Sequence, residues 1–279
     1  MLWKPPPRIQ CEGEVLSLKE SRVYVRRERP TALAVSIALA VTMLVVYVLT
    51  LDAVRPDVVE SVSAAPRVTR EIEFAKLEAY CVSLGGWDSA DQARSEAAAF
   101  TERGAAGRVC EVDGRWHILG AMYATRKQAA RVAETLGGDA PAEVVALTAP
   151  SVRMRITAPQ RQIDLIVAAD ALLRDQVSQL AVIARQLDRG EIQPEAALTL
   201  CALSASEARA LSEKLRCIPG IEDNRLCVAL IDALEASSAR MEELRSVGSG
   251  GSAALSGMIR LSGLESFMSL RALQQGLTR

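Results

Sequence analysis

Histidine is nearly missing from this chain: His117 is the one copy in 279 residues. The six cysteines, Cys11, Cys81, Cys110, Cys201, Cys217 and Cys227, never fall into a CxxC pair. Four-ligand zinc sites draw on clustered Cys and His, so a metal site is not expected. One histidine also leaves little room for a His-based nucleophile relay. The sequence lacks GxSxG, HExxH and a Walker loop, the motifs that most directly announce hydrolytic or nucleotide chemistry. Carboxylate pairs such as Glu242-Glu243 fall on helix surfaces, where solvation is the ordinary state. A non-enzyme without a cofactor is the expectation, with an unrecognised carboxylate glycosidase as the catalytic alternative. Charge of one sign is lacking too: 33 basic and 34 acidic residues leave a net charge of −1. Without a basic face or segment, nucleic acid is not an expected partner.

One long apolar run is present. Thr31 to Leu51 carries no charge, and its polar breaks are confined to Ser36, Tyr47 and a few threonines. About 20 helical residues at about 1.5 Å each cross a hydrocarbon core of about 30 Å. The run therefore predicts a transmembrane helix over 31–51, against the alternative of a buried core helix. Lys19, Arg22, Arg26, Arg27 and Arg29 precede it, whereas Asp52, Arg55, Asp57 and Glu60 follow. That asymmetry predicts a single pass in the cytoplasmic membrane, with the 1–30 tail inside and the rest exported. An uncleaved signal anchor is expected, because the run is longer than the ~7–15-residue core of a signal peptide. Residues 52–74, with Pro56 and Pro66, read as a juxtamembrane stalk.

Residues 75–150 change character. Lys76 to Leu84 alternates as a strand, placing Tyr80, Val82 and Leu84 on one face and Cys81 and Ser83 on the other. Ser89 with Gln92 forms a capping-box start for a helix ending at Gly104. Asp113-Gly114 is a type I′ hairpin signal between strands 108–112 and 115–121. Thr125 caps a second helix, and Glu143 to Thr148 supplies a last strand. The order β-α-β-β-α-β suggests a four-stranded sheet with both helices on one face.

The run Tyr80-Cys81-Val82-Ser83-Leu84-Gly85-Gly86-Trp87 is followed by Trp116-His117-Ile118-Leu119-Gly120-Ala121-Met122-Tyr123. With the Ala-rich helices at Asp91-Gln92-Ala93 and Lys127-Gln128-Ala129, this segment resembles the SPOR (sporulation-related) domain. The resemblance implies a ferredoxin-like sheet whose helix-free face holds peptidoglycan glycan strands at a division or sporulation septum. Carried onto this sequence, it implies Cys81, Ser83, Trp87, His117 and Leu119 as the glycan-binding residues. Ser83 stands where the family carries Gln. The alternation leaves Cys81, Ser83, His117 and Leu119 on the open face, while Trp116 is expected in the core.

The C-terminal half is helical in period. Pro159 opens a helix to about Leu187, Pro194 opens another to about Cys217, and a third covers about Glu222 to Arg245. Residues 151–247 therefore predict an antiparallel bundle or hairpin. Gly248 to Ser252 reads as a flexible linker, and 253–279 as an amphipathic helix for packing on the bundle, a partner or a membrane surface.

The expected fold class is α+β: one N-terminal transmembrane helix, a βαββαβ ferredoxin-like SPOR domain, then an α-helical region. The expected function is noncatalytic peptidoglycan binding at a septum by a membrane-anchored protein. The alternative is an envelope scaffold whose degenerate SPOR domain and C-terminal helices contact proteins or self-associate.

Overall fold

A computed structural model describes residues 66–136, 142–247 and 251–278. All fall in the second of the two units into which the chain divides, Glu60–Arg279. The strands are β1 (Arg67–Phe74), β2 (Leu77–Trp87), β3 (Arg108–Val112), β4 (Arg115–Tyr123), β5 (Glu143–Ala149) and β6 (Val152–Pro159). The helices are α1 (Ala90–Glu102), α2 (Arg126–Leu136), α3 (Gln160–Asp188), α4 (Pro194–Arg216), α5 (Arg225–Glu243) and α6 (Gly251–Leu277).

Local chemistry accounts for most of these ends. The Ser89 hydroxyl accepts from the Gln92 amide at 3.2 Å, closing the start of α1. Thr125 does the same for the Gln128 amide at the start of α2. Asn224 caps α5 twice, its Oδ1 accepting from the amides of Leu226 and Cys227. Each cap satisfies donors that a helix leaves unpaired. At the β3–β4 hairpin Asp113 and Gly114 both take positive φ, 52° and 78°, as a type I′ turn requires.

The larger sheet has the order β3-β4-β2-β5, with antiparallel neighbours. Helices α1 and α2 cover one face. Ala129 and Ala133 of α2 cluster with Val82, and Ala93 and Ala97 of α1 cluster with Ile118. The small alanines let helix backbones sit close over large strand residues, which is efficient packing for two short helices.

The second sheet is a two-stranded ribbon. β1 pairs with β6 from Arg67 opposite Pro159 to Phe74 opposite Val152. The expected stalk over 52–74 is thus corrected at its C-terminal end, where 67–74 is a strand. Ile72 and Phe74 alternate inward with the exposed Glu71 and Glu73, and both are buried in the main core. A period-two pattern this short was hidden among charges.

The expected fold class is overturned. The described residues form two sheets and six helices, and no helix among them is long and apolar enough to cross a membrane. The 31–51 segment lies outside the described residues. The C-terminal region is not a separate bundle following a free-standing sheet domain. Its helices α3, α5 and α6 share one core cluster with β1, β2, β4, β5 and β6. The cause is composition: the face of the larger sheet away from α1 and α2 carries Ala79, Cys81, Leu119, Val145 and Leu147, all buried in that cluster. An apolar face of this kind must be covered by another layer. The expected linker over 248–252 is also shortened, since Gly251 and Ser252 already belong to α6.

Candidate functional site

The face singled out by sequence is a covered face. Cys81, Ser83 and Leu119 are fully buried and His117 is 6% exposed. Strand alternation does bring these four to one side. Val145 lies opposite Cys81 and Leu147 opposite Ala79, extending the same surface onto β5. The cover is α6, whose Leu264, Phe267, Leu270 and Leu273 join Cys81, Leu119, Val145 and Leu147 in one apolar cluster. Trp87 does not belong to this side. A register shift between Ser83 and Gly86 turns the strand end, and Trp87 packs with Leu84, Trp116 and Phe100 against α1. The assignment of Trp87 to the open face is corrected by that bulge, which reverses the alternation.

Several points hold α6 in place. At Gly257 a Cβ would lie 2.7 Å from the Ala105 carbonyl oxygen and closer still to that of Thr101. Only glycine lets the helix approach the α1–β3 loop this closely. One turn on, the Arg260 guanidinium donates to the Gly104 carbonyl and pairs with Asp188 at the end of α3. Arg108 on β3 pairs with Glu265 at 3.0 Å. Near the other end, Arg271 Nε donates to the Thr148 carbonyl at 3.0 Å and Gln274 Nε2 to that of Ala75 at 2.8 Å. From Gly257 to Gln274 these attachments span about 25 Å of helix. On its other side α6 packs along α3, where Gly263 sits against Leu180.

The polar members of the covered face form their own small network. Ser83 Oγ donates to the Gly85 carbonyl at 2.9 Å, tying down the bulge. His117 Nδ1 lies 3.0 Å from Ser83 Oγ and 3.2 Å from Glu143 Oε1. The serine proton is already directed to Gly85, so Nδ1 is assigned as the donor to both oxygens. A serine–histidine–carboxylate relay needs the two ring nitrogens to face different partners. Here one nitrogen serves both, so the geometry does not activate Ser83. It satisfies a buried histidine instead. Gly85 has φ 147°, and a Cβ there would meet the Trp87 ring at 2.8 Å, so the bulge depends on glycine.

The buried thiols are inert by environment. Cys81, Cys110, Cys201, Cys217 and Cys227 are all unbridged. Burial pushes the Cys81 and Cys201 thiols up to about 12 from a reference of 9.0. It raises Cys110 and Cys227 as well. A neutral thiol is a poor nucleophile and a poor metal ligand. Among the described residues no group of three His, Cys, Asp or Glu is placed to hold a metal.

A second feature escaped the sequence reading. An open cleft of about 480 Å³ lies between α5 and α6, with Leu226, Ala229, Ala233 and Leu273 among its apolar lining. Arg225 and Asp232 on α5 and Gly276 on α6 also line it. The signal was present as short side chains at helical spacing, Ala229 and Ala236 on one helix and Ala272 and Gly276 on the other. Nothing in the period of either helix alone shows that the two stripes meet.

No protein-family model matches the chain, and neither a curated protein nor a solved structure shows significant similarity to it.

Proposed function

We propose that this chain is a noncatalytic protein-interaction scaffold, in which the sheet is structural and the C-terminal helices carry the contact surface. The observation that supports it most directly is the cover. Leu264, Phe267 and Leu270 of α6 occupy the face that a glycan strand would need. Sugars bind to platforms with solvent-accessible hydrogen-bonding groups, and here Ser83 and His117 spend theirs on Gly85, Glu143 and each other. The buried thiols and the forked His117 contact also support a noncatalytic role. The cleft between α5 and α6 provides an apolar surface that no element of the described fold fills.

Pelleting with sacculi stripped of stem peptides tests the reading against glycan binding. The intact chain is expected to stay in the supernatant under conditions where a standard SPOR domain pellets. Saturable pelleting of the intact chain would replace the scaffold reading with the glycan one.

A further inference from the structure

We infer that the partner seated in the α5–α6 cleft is a second copy of this chain, bound across a two-fold axis with its α5 antiparallel to the first. The inference rests on the scaffold reading above and names the partner for it. The outward seam of α5 is Arg225, Ala229, Asp232 and Ala236, all four lining the cleft. The spacing of four, three and four is the recurrence that keeps one helix face against a neighbouring helix. Ala229 and Ala236 are short enough for two backbones to approach closely. The opposite wall, with Ala272 and Gly276 of α6, is equally low.

Charge selects the orientation. Arg225 and Asp232 are exposed, lie two turns apart on the seam, and form no ion pair with each other or with any described residue. A parallel two-fold pairing would set Arg225 against Arg225 and Asp232 against Asp232, which is repulsive. An antiparallel pairing centred between Val228 and Ala229 sets Arg225 against the partner's Asp232, twice by symmetry. The surface is thus complementary to itself, as an isologous interface requires. Each α5 then occupies the other copy's cleft, and α5 and α6 of both copies form a four-helix layer. A small molecule fits less well: the cleft is of suitable size, but among its lining residues Ser269 is the one neutral polar side chain.

Sedimentation velocity of the full chain at micromolar concentration, with charge variants, tests this. The native chain is expected to be a dimer. Asp232→Arg and Arg225→Asp each convert two attractive pairs into two repulsive ones and should weaken dimerisation on the order of 10- to 100-fold. The double swap R225D/D232R should restore it. In a Cys11→Ser, Cys217→Ser background, Ala229→Cys should form a disulfide-linked dimer on mild oxidation, and the exposed Ala239→Cys, which the antiparallel register sets about 30 Å from its own copy along the helix axis, should not. A native monomer overturns the inference, as does a dimer that ignores both charge reversals and shows no Ala229→Cys crosslink. Failure here is separable from failure of the scaffold reading: a chain that pellets with sacculi refutes the latter, whereas a monomer that stays in the supernatant refutes only the two-fold partner.

Discussion

Replacing Gly257 by alanine probes whether α6 is seated on the sheet as described. The new Cβ would stand 2.7 Å from the Ala105 carbonyl oxygen, where ordinary contact begins near 3.4 Å. The helix must retreat by at least the difference, and further to clear the Thr101 carbonyl. Both obstacles are backbone at the end of α1, so no side chain can swing away. Retreat also stretches the Arg260 bonds to Gly104 and Asp188, which lie one turn along. Overpacking of this kind costs about 1–3 kcal/mol, and rigid neighbours argue for the upper end. Alanine returns about 1 kcal/mol in helix propensity. The net expectation is a loss of about 2 kcal/mol, or a fall of about 4–8 °C in Tm for a body of this size. Gly263→Ala is the companion: its Cβ would meet the Leu180 Cβ at 3.3 Å, a tight contact with a single side chain. It should shift Tm by less than half as much. Thermal melts followed by circular dichroism read both variants. A Gly257→Ala protein that melts at or above the native temperature would refute the close seating of α6, and with it the covered face.

Further predictions concern the buried polar network and the thiols. Gln176 is fully buried, donates to the Ser204 carbonyl at 2.9 Å and accepts from the Ser237 hydroxyl at 3.0 Å, joining α3, α4 and α5. Gln176→Leu removes both bonds, leaving Ser237 only the Ser266 hydroxyl at 3.1 Å, and should cost about 1–3 kcal/mol in urea unfolding; adding Ser237→Ala should cost less in that background than in the native chain, and strict additivity would count against the network. The buried thiols predict a pH window. Protonated Cys81 and Cys201 are favoured by the fold, so their contribution is intact below pH 9, declines as unfolded thiols ionise above it, and is lost on approaching pH 12. Alkylation at pH 8 with peptide mapping should modify the exposed Cys217 and spare Cys81 and Cys201, and rapid native labelling of Cys81 would show that its cover opens.

Local order was legible in the sequence wherever a short-range rule governs it. Ser89, Thr125 and Pro194 mark helix starts because a helix leaves its first amides unpaired or tolerates proline there, and Asp113-Gly114 marks a hairpin because its two residues need positive φ. Alternation likewise separated Val82, Leu84, Trp116 and Ile118 from Cys81, Ser83, His117 and Leu119, since successive strand residues point to opposite faces. Trp87 escaped because a bulge interrupts that count. What covers the second face depends on α6, well over a hundred residues from β2 and β4, and a helical stripe of Leu264, Phe267 and Leu270 looks the same whether it meets a bundle, a partner or a sheet. The ribbon of β1 with β6, the meeting of Ser83 with His117 and Glu143, and the cleft between α5 and α6 share that character. Periodicity and capping are properties of neighbouring residues, so the sequence by itself determined the elements and their faces. Which apolar face meets which is decided by burial across the whole chain, and only the tertiary structure turned an expected glycan platform into the floor of the core.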